Sequence, residues 1–297
     1  MLKSHNRYRY LPITKRKPYA WPNGSRLAIF TALNVEVFPF GEGMGVELAA
    51  GQPQPDVVNY SWRDYGNRVG FWRLMEMLDE FKIPVSMLMN TEIFDECPEI
   101  AESIVKRGDE IVGHGRTNAE RQGQMPEEEE RALIQNTAAI IGDKTGRRPT
   151  GWLGPWVSES HATLDLLQEA GFTYHMDWMF DDQPVWMKTR AGKILSIPYV
   201  RPTNDLPLMH RYQIPPEQYA DIVIDQFDEM LRQSRQVPLV FCLSFHPYFA
   251  GHAFRIKHLR RIYQHIAAHS ADVWLTHTGE IAKHVAGLPA GIVPGSE

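Results

Sequence analysis

The sequence predicts an α/β fold of the β/α-barrel type with seven or eight units, and three observations point to it. Short apolar runs alternate with helix-patterned segments from residue 26 onward. Repeated strand–helix units imply parallel strands joined by helical crossovers. The 297-residue length suits seven or eight such units, which a closed barrel accommodates. The first strand–helix turn also lacks the G-x-G-x-x-G phosphate fingerprint, which weakens the doubly wound dinucleotide-binding alternative.

The elements follow in order. Residues 1–25 are polar, aromatic and proline-bearing, and read as an arm lying on the body or on a neighbouring subunit. Residues 26–297 read as one catalytic barrel domain. RLAIFTALN is a buried strand, and residues 39–59 are a Gly/Pro-rich loop. GNRVGFWRLMEMLDEF has helical spacing, PVSMLMN is a strand, and PEIAESIVKRG is a helix opened by Pro98. EIVGHG is a strand, followed by the helix MPEEEERALIQNTAAIIGDKTG, whose acidic first turn suits the macrodipole. PTGWLGP, SHATLDLLQEAG, FTYHMDW and KILSIPYV continue the alternation. PPEQYADIVIDQFDEMLRQS is a long helix, VPLVFCLSFHP the most apolar strand, and FRIKHLRRIYQHIAAHS a further helix. VWLTHTGE and a short helix close the chain.

Composition narrows the function. Apolar residues make up 43% and charged residues 23%, ordinary for a globular protein. A net charge of -5 without a long basic stripe argues against a nucleic-acid partner. Two cysteines, Cys97 and Cys242, are too few for a disulfide framework. The first residues carry no apolar leader segment, and no run has the length to span a membrane, so a cytoplasmic protein without a membrane partner is expected. The aromatic arm and the 39–59 loop suggest a homo-oligomer, although a monomer with a lid would have the same sequence features.

Barrel enzymes build their sites where strands end. Here the strand ends carry Asn34 and Glu36, then Asn90, His114, Leu153–Trp156, Asp177–Trp178 leading to Asp181–Asp182, Arg201–Asp205, Ser244–His246 and Thr276–Glu280. Asn34 and Glu36 share a strand face, yet Glu36 also suits a loop cap or an arginine partner. His114, between two glycines, serves equally well in turn packing. His246 is harder to dismiss, because six largely apolar residues carry it to the end of a strand. His277 reads equally as an exposed loop residue, Asp181–Asp182 as turn caps, and Trp152 and Trp156 as core or substrate wall.

The order of these motifs resembles the polysaccharide deacetylase superfamily, carbohydrate esterase family 4 and its relatives. These are distorted seven-stranded β/α barrels that hydrolyse the C–N bonds of amides. The resemblance runs from Leu27 to Ala282. Asn34-Val35-Glu36 matches the Asp-rich first strand, and His114 with Asn118 matches a pair of histidines four residues apart. GWLGPW at 151–156 takes the place of an Arg-x-Pro motif. AGFTYHMDWMFDDQP at 170–184 looks like the fourth motif, and SFHPYF at 244–249 carries the late-strand histidine. Metal-dependent members use a carboxylate base, a carboxylate ligand and both histidines. In this chain the base position is Asn34, which cannot accept a proton, and the second histidine is Asn118, a poor zinc ligand beside imidazole. The third motif lacks its arginine. What remains is similar to the allantoinase-like and cyclic-imidase-like branch, which acts on small ring amides and ureides, with one group held to work without a metal. YGNRVGFWRLMEML at 65–78 is similar to the same branch.

The resemblance implies ring-opening hydrolysis of a small cyclic amide, imide or ureide. Glu36 would be the general base, His114 would orient the water or ligate a metal, and His246 would donate a proton or stabilise the oxyanion. Asn34, Asn118, Asn204 and Asp182 would bind the polar edge of the substrate, and Trp156 and Trp178 would wall it. The cofactor stays open between none and one divalent metal such as zinc on Glu36, His114 and Asn118. Two alternatives are an N-deacetylase of a sugar or peptidoglycan substrate and a barrel that has lost catalysis but binds a ligand.

Overall fold

The computed structural model describes residues 5–297. Nine strands form one sheet: β1 (Leu27–Val35), β2 (Val85–Met89), β3 (Glu110–Gly113), β4 (Gly151–Trp152), β5 (Tyr174–His175), β6 (Val185–Lys188), β7 (Lys193–Ser196), β8 (Leu239–Phe245) and β9 (Val273–Leu275). The strand order is β6-β7-β5-β4-β3-β2-β1-β8, with β9 also pairing β1. All pairings are parallel except β6 with β7. The sheet curls into the distorted β/α barrel anticipated above, and Val240 N–H donates to Asp182 O at 2.9 Å across the gap beside β8. The sequence alone does not mark β6, because its four residues carry too short an alternation to separate from a loop.

Side-chain alternation decides what faces the barrel axis. On β1, Leu27, Ile29, Leu33 and Val35 pack outward on the helices, whereas Ala28, Phe30 and Ala32 join the inner cluster. On β8, Phe241, Leu243 and Phe245 point outward, while Val240 and Cys242 point inward. Extending the inner series by two residues at a time reaches Asn34 and Glu36 on one strand, and Ser244 and His246 on the other. Both strands are buried along their length, as parallel strands with both faces covered must be. The site is therefore set by the parity of positions in two central strands.

A glycine-permitted contact fixes these two strand ends. Residues Gly66–Gly70 form a π-helical turn that leads into the helix Phe71–Glu80. A Cβ on Gly66 would lie 2.6 Å from Tyr248 N, and one on Gly70 would lie 2.0 Å from Pro247 O. The turn therefore packs backbone to backbone on the segment just after His246. Within it, Asn67 Nδ2 donates to Glu36 O at 2.8 Å. This gives a structural reason for the Tyr-Gly-x-Arg-x-Gly pattern at 65–70. Gly70→Ala is expected to destabilise the protein by about 1–3 kcal/mol, since backbone cannot yield as a flexible side chain does. Denaturant titration reads this loss, and an unchanged midpoint would contradict the packing account.

The described part of the arm, residues 5–25, lies against the barrel of its own chain, and residues 1–4 of the expected arm lie outside the described residues. Tyr8 stacks on Phe180 at 4.1 Å between ring centroids, Arg16 pairs with Asp181 at 2.5 Å, and Trp21 Nε1 donates to Leu239 O at 3.0 Å. No helix among the described residues is long and apolar enough to cross a membrane.

Candidate active site

A cavity of about 230 Å³ opens at the carboxyl ends of β1, β3 and β8, and Glu36, His114 and His246 all line it. Glu36 is 5% exposed and His114 2%. Glu36 Oε1 stands 3.6 Å from His114 Nε2 and 3.9 Å from His246 Nε2. Both separations exceed hydrogen-bond length and are of the size at which a shared water has to be considered. A second cavity of about 500 Å³, lined by Tyr60, Arg63 and Asn67, also borders Glu36.

The partners of each imidazole fix its role. His114 Nδ1 lies 2.6 Å from Leu153 O. A carbonyl only accepts, so Nδ1 carries the hydrogen and Nε2 presents a lone pair to the cavity. Asn90 braces this arrangement, accepting from Val37 N–H at 3.0 Å and donating through Nδ2 to His114 O. His114 Nε2 and Glu36 Oε2 are both buried without a protein partner. Two acceptors thus converge on one space, and a proton-bearing group such as water or an N–H suits it.

His246 has a different environment. Its Nδ1 lies 2.7 Å from Asp205 Oδ1, and its backbone N–H donates to Asp205 Oδ2 at 2.7 Å. Burial opposes a charge on His246, but Asp205 and then Glu36 favour it, and the balance raises its pKa above the ordinary histidine value. Sequence reading placed Asp205 on the rim without a role. The pairing spans 41 residues, so no local spacing betrays it. Tyr248, equally unassigned from sequence, lines the cavity with a buried hydroxyl beside the Glu36 carboxylate.

The other expected residues divide into three groups. Asn118 and Trp156 line the cavity, and Trp156 Nε1 donates to Asn118 O at 2.8 Å. Asn118 Oδ1 is buried and unpartnered. Trp156 and Val157 hold left-handed backbone (φ 64° and 55°), which is strained for non-glycine residues, above all for a β-branched one. Asn34 and Asn204 also border the cavity, but their amides are committed to a network. Both donate to Ser244 Oγ at 3.2 Å and to Tyr199 Oη, at 3.3 Å and 3.1 Å. They build its floor.

Trp178 and Asp182 do not join the cavity, contrary to the sequence expectation. Strand β5 ends at His175, and the chain then turns outward. Trp178 stands against Tyr8 and Phe180, with Nε1 donating to Glu159 Oε2 at 2.6 Å. Asp182 O accepts from Val240 N–H near the start of β8, six residues, or roughly 20 Å of strand, from His246.

The metal question turns on donor chemistry. Glu36, His114 and Asn118 each offer one buried atom, but the third is a neutral amide where zinc enzymes of this kind use a second imidazole. One carboxylate, one imidazole and one amide do not fit a zinc centre well.

Comparison with known proteins agrees with the fold. A family model described as polysaccharide deacetylase matches residues 51–175. A probable polysaccharide deacetylase from Pseudomonas aeruginosa PAO1 superposes with a TM-score of 0.80 at 28% identity, covering 89% of this chain and 92% of that one. The chain is therefore similar to polysaccharide deacetylases over most of its length. The PuuE allantoinase superposes with a TM-score of 0.81 at 26% identity, covering 89% and 91% of the two chains. In sequence, the peptidoglycan deacetylase of Helicobacter pylori is 24% identical over 258 residues, 76% of this chain and 86% of that protein.

Proposed function

We propose that this chain opens a small cyclic amide, imide or ureide by hydrolysis. The coarser class, hydrolysis of a carbon–nitrogen bond other than a peptide bond, is that of the superfamily. The observation that carries the finer reading is the small size of the site, about 230 Å³ against the ~300–1,000 Å³ usual for drug-sized ligands, with Glu36 set between two imidazoles. Likeness to the PuuE allantoinase over most of both chains supports it.

In this reading Glu36 takes a proton from water held between its carboxylate and His114 Nε2. The resulting hydroxide adds to the ring carbonyl carbon. Tyr248 Oη lies in the same cavity and supplies a donor to the developing oxyanion. The C–N bond then breaks, and His246 Nε2–H gives its proton to the leaving nitrogen while Asp205 holds the ring through Nδ1. Products are a free carboxylate at one end of the opened chain and, at the other, an amine from a cyclic amide or an amide or urea nitrogen from an imide or ureide. Asn118 is placed to contact the substrate's polar edge, and Trp156 to cover one face.

A second reading, N-deacetylation of a sugar or peptidoglycan substrate, is favoured by the Helicobacter pylori relative. It uses the same bond chemistry on a larger substrate. Assay of hydantoin, succinimide, allantoin and N-acetylglucosamine oligomers separates the two. Turnover of a ring compound with none of the oligomers is expected, and release of acetate from the oligomers alone would overturn the proposal.

A further inference from the structure

Outside the barrel wall, a second cluster of buried polar groups has no part in the chemistry above. Glu159, His175 and Asp177 bring their donor atoms within 4.8 Å of one another. Tyr174 and Met176 face the barrel interior, so His175 between them faces the opposite side of the sheet. His175 Nδ1 stands 3.5 Å from Glu159 Oε1 and 3.8 Å from Asp177 Oδ2. These three atoms are all buried without a protein hydrogen bond, and His175 itself is 0% exposed.

The other oxygen of each carboxylate is tied in place. Asp177 Oδ1 accepts from Gly154 N–H at 2.7 Å, and Glu159 Oε2 accepts from Trp178 Nε1 at 2.6 Å. On the far side of the ring, His175 Nε2 meets Met187 Sδ at 3.3 Å. Each group is thus oriented by an outer contact, and its remaining donor atom points at a common centre, as outer-shell partners do at metal sites. Donors around a tetrahedral ion with ~2.0–2.2 Å bonds lie roughly 3.3–3.6 Å apart; the Glu159 separation falls in that range and the Asp177 separation lies about 0.2 Å beyond it. A direct N–H···O hydrogen bond would be much shorter, about 2.7–3.2 Å.

We propose that Glu159, His175 and Asp177 bind one divalent transition-metal ion of the zinc class, with a fourth position open to the cleft beside Trp178. Imidazole with two carboxylates suits such an ion better than calcium or magnesium, which prefer all-oxygen sites. The ion braces the turn at 155–159. Val157 in that turn borders both this cleft and the catalytic cavity, so the metal steadies the Trp156 wall and stands apart from the reacting atoms. The competing arrangement is an imidazolium shared between the two carboxylates, which raise the His175 pKa to about 9 against the effect of burial.

Equilibrium dialysis of the chelator-stripped full-length protein against Zn²⁺, followed by metal analysis, tests the site. The expected result is one bound equivalent that persists in His114→Gln and disappears in Glu159→Gln and in His175→Gln. Calorimetric unfolding should show a Zn²⁺-dependent rise in Tm for the wild type and none for Glu159→Gln. An equivalent retained in Glu159→Gln, or no binding by the wild type, would overturn the proposal, and the latter would leave the shared imidazolium as the arrangement.

Discussion

Glu36→Gln is expected to lower kcat by about 10²–10⁴-fold, the usual worth of a positioned general base, while leaving the fold as stable as before. The amide keeps the shape of the carboxylate but cannot accept the proton of water. Stability should hold because Glu36 anchors the fold through its backbone carbonyl, which accepts from Asn67. Its carboxylate is buried, so loss of the charge removes a desolvation cost that offsets the lost attraction to His246. Steady-state rates read beside a melting curve check both halves. A variant within threefold of wild-type kcat would remove Glu36 from the mechanism.

Asp205→Asn should cost up to about 10⁴ in kcat, as loss of the orienting carboxylate does in other Asp–His pairs, and it should displace the pH profile. Asp205 is the chief favourable influence on the His246 charge. Without it the His246 pKa falls, so the acid form is lost at lower pH and the alkaline limb of kcat moves down. The linkage to stability has the same origin. A histidine whose folded pKa is raised contributes stability that is fully present below its unfolded value of about 6.5 and is lost as pH rises through the folded value. The native protein should therefore lose this contribution as pH rises through the raised folded value, and Asp205→Asn should show little of that dependence. An alkaline limb that stays in place in the variant would exclude His246 as the acid.

Much of this architecture was legible in the sequence because hydrophobic runs and parity carry it. VPLVFCLSFHP reads as a buried strand, and counting by twos from its inner residues brings His246 to the rim. The same count takes Phe30 and Ala32 to Asn34 and Glu36. Residues joined by side-chain hydrogen bonds across the fold were not legible. Asp205 reaches His246 from a distant loop, and Asn34 and Asn204 are bound to Tyr199 and Ser244, so their amides build the cavity floor. Trp178 and Asp182 show the limit of strand-end reasoning. Beyond the last paired residue of β5 the backbone turns outward, and proximity in sequence to a strand end no longer means proximity to the site. The cluster at Glu159 is of the same kind, since its members meet only when the turn at 155–159 folds back beside β5.

The central claim is that Glu36 drives hydrolysis of a small ring. Its most direct test is the rate of succinimide ring opening by the wild-type protein and Glu36→Gln side by side, followed by loss of the imide absorbance. The account predicts turnover by the wild type and a loss of at least about a hundredfold in the variant. Equal rates in the two proteins would contradict it.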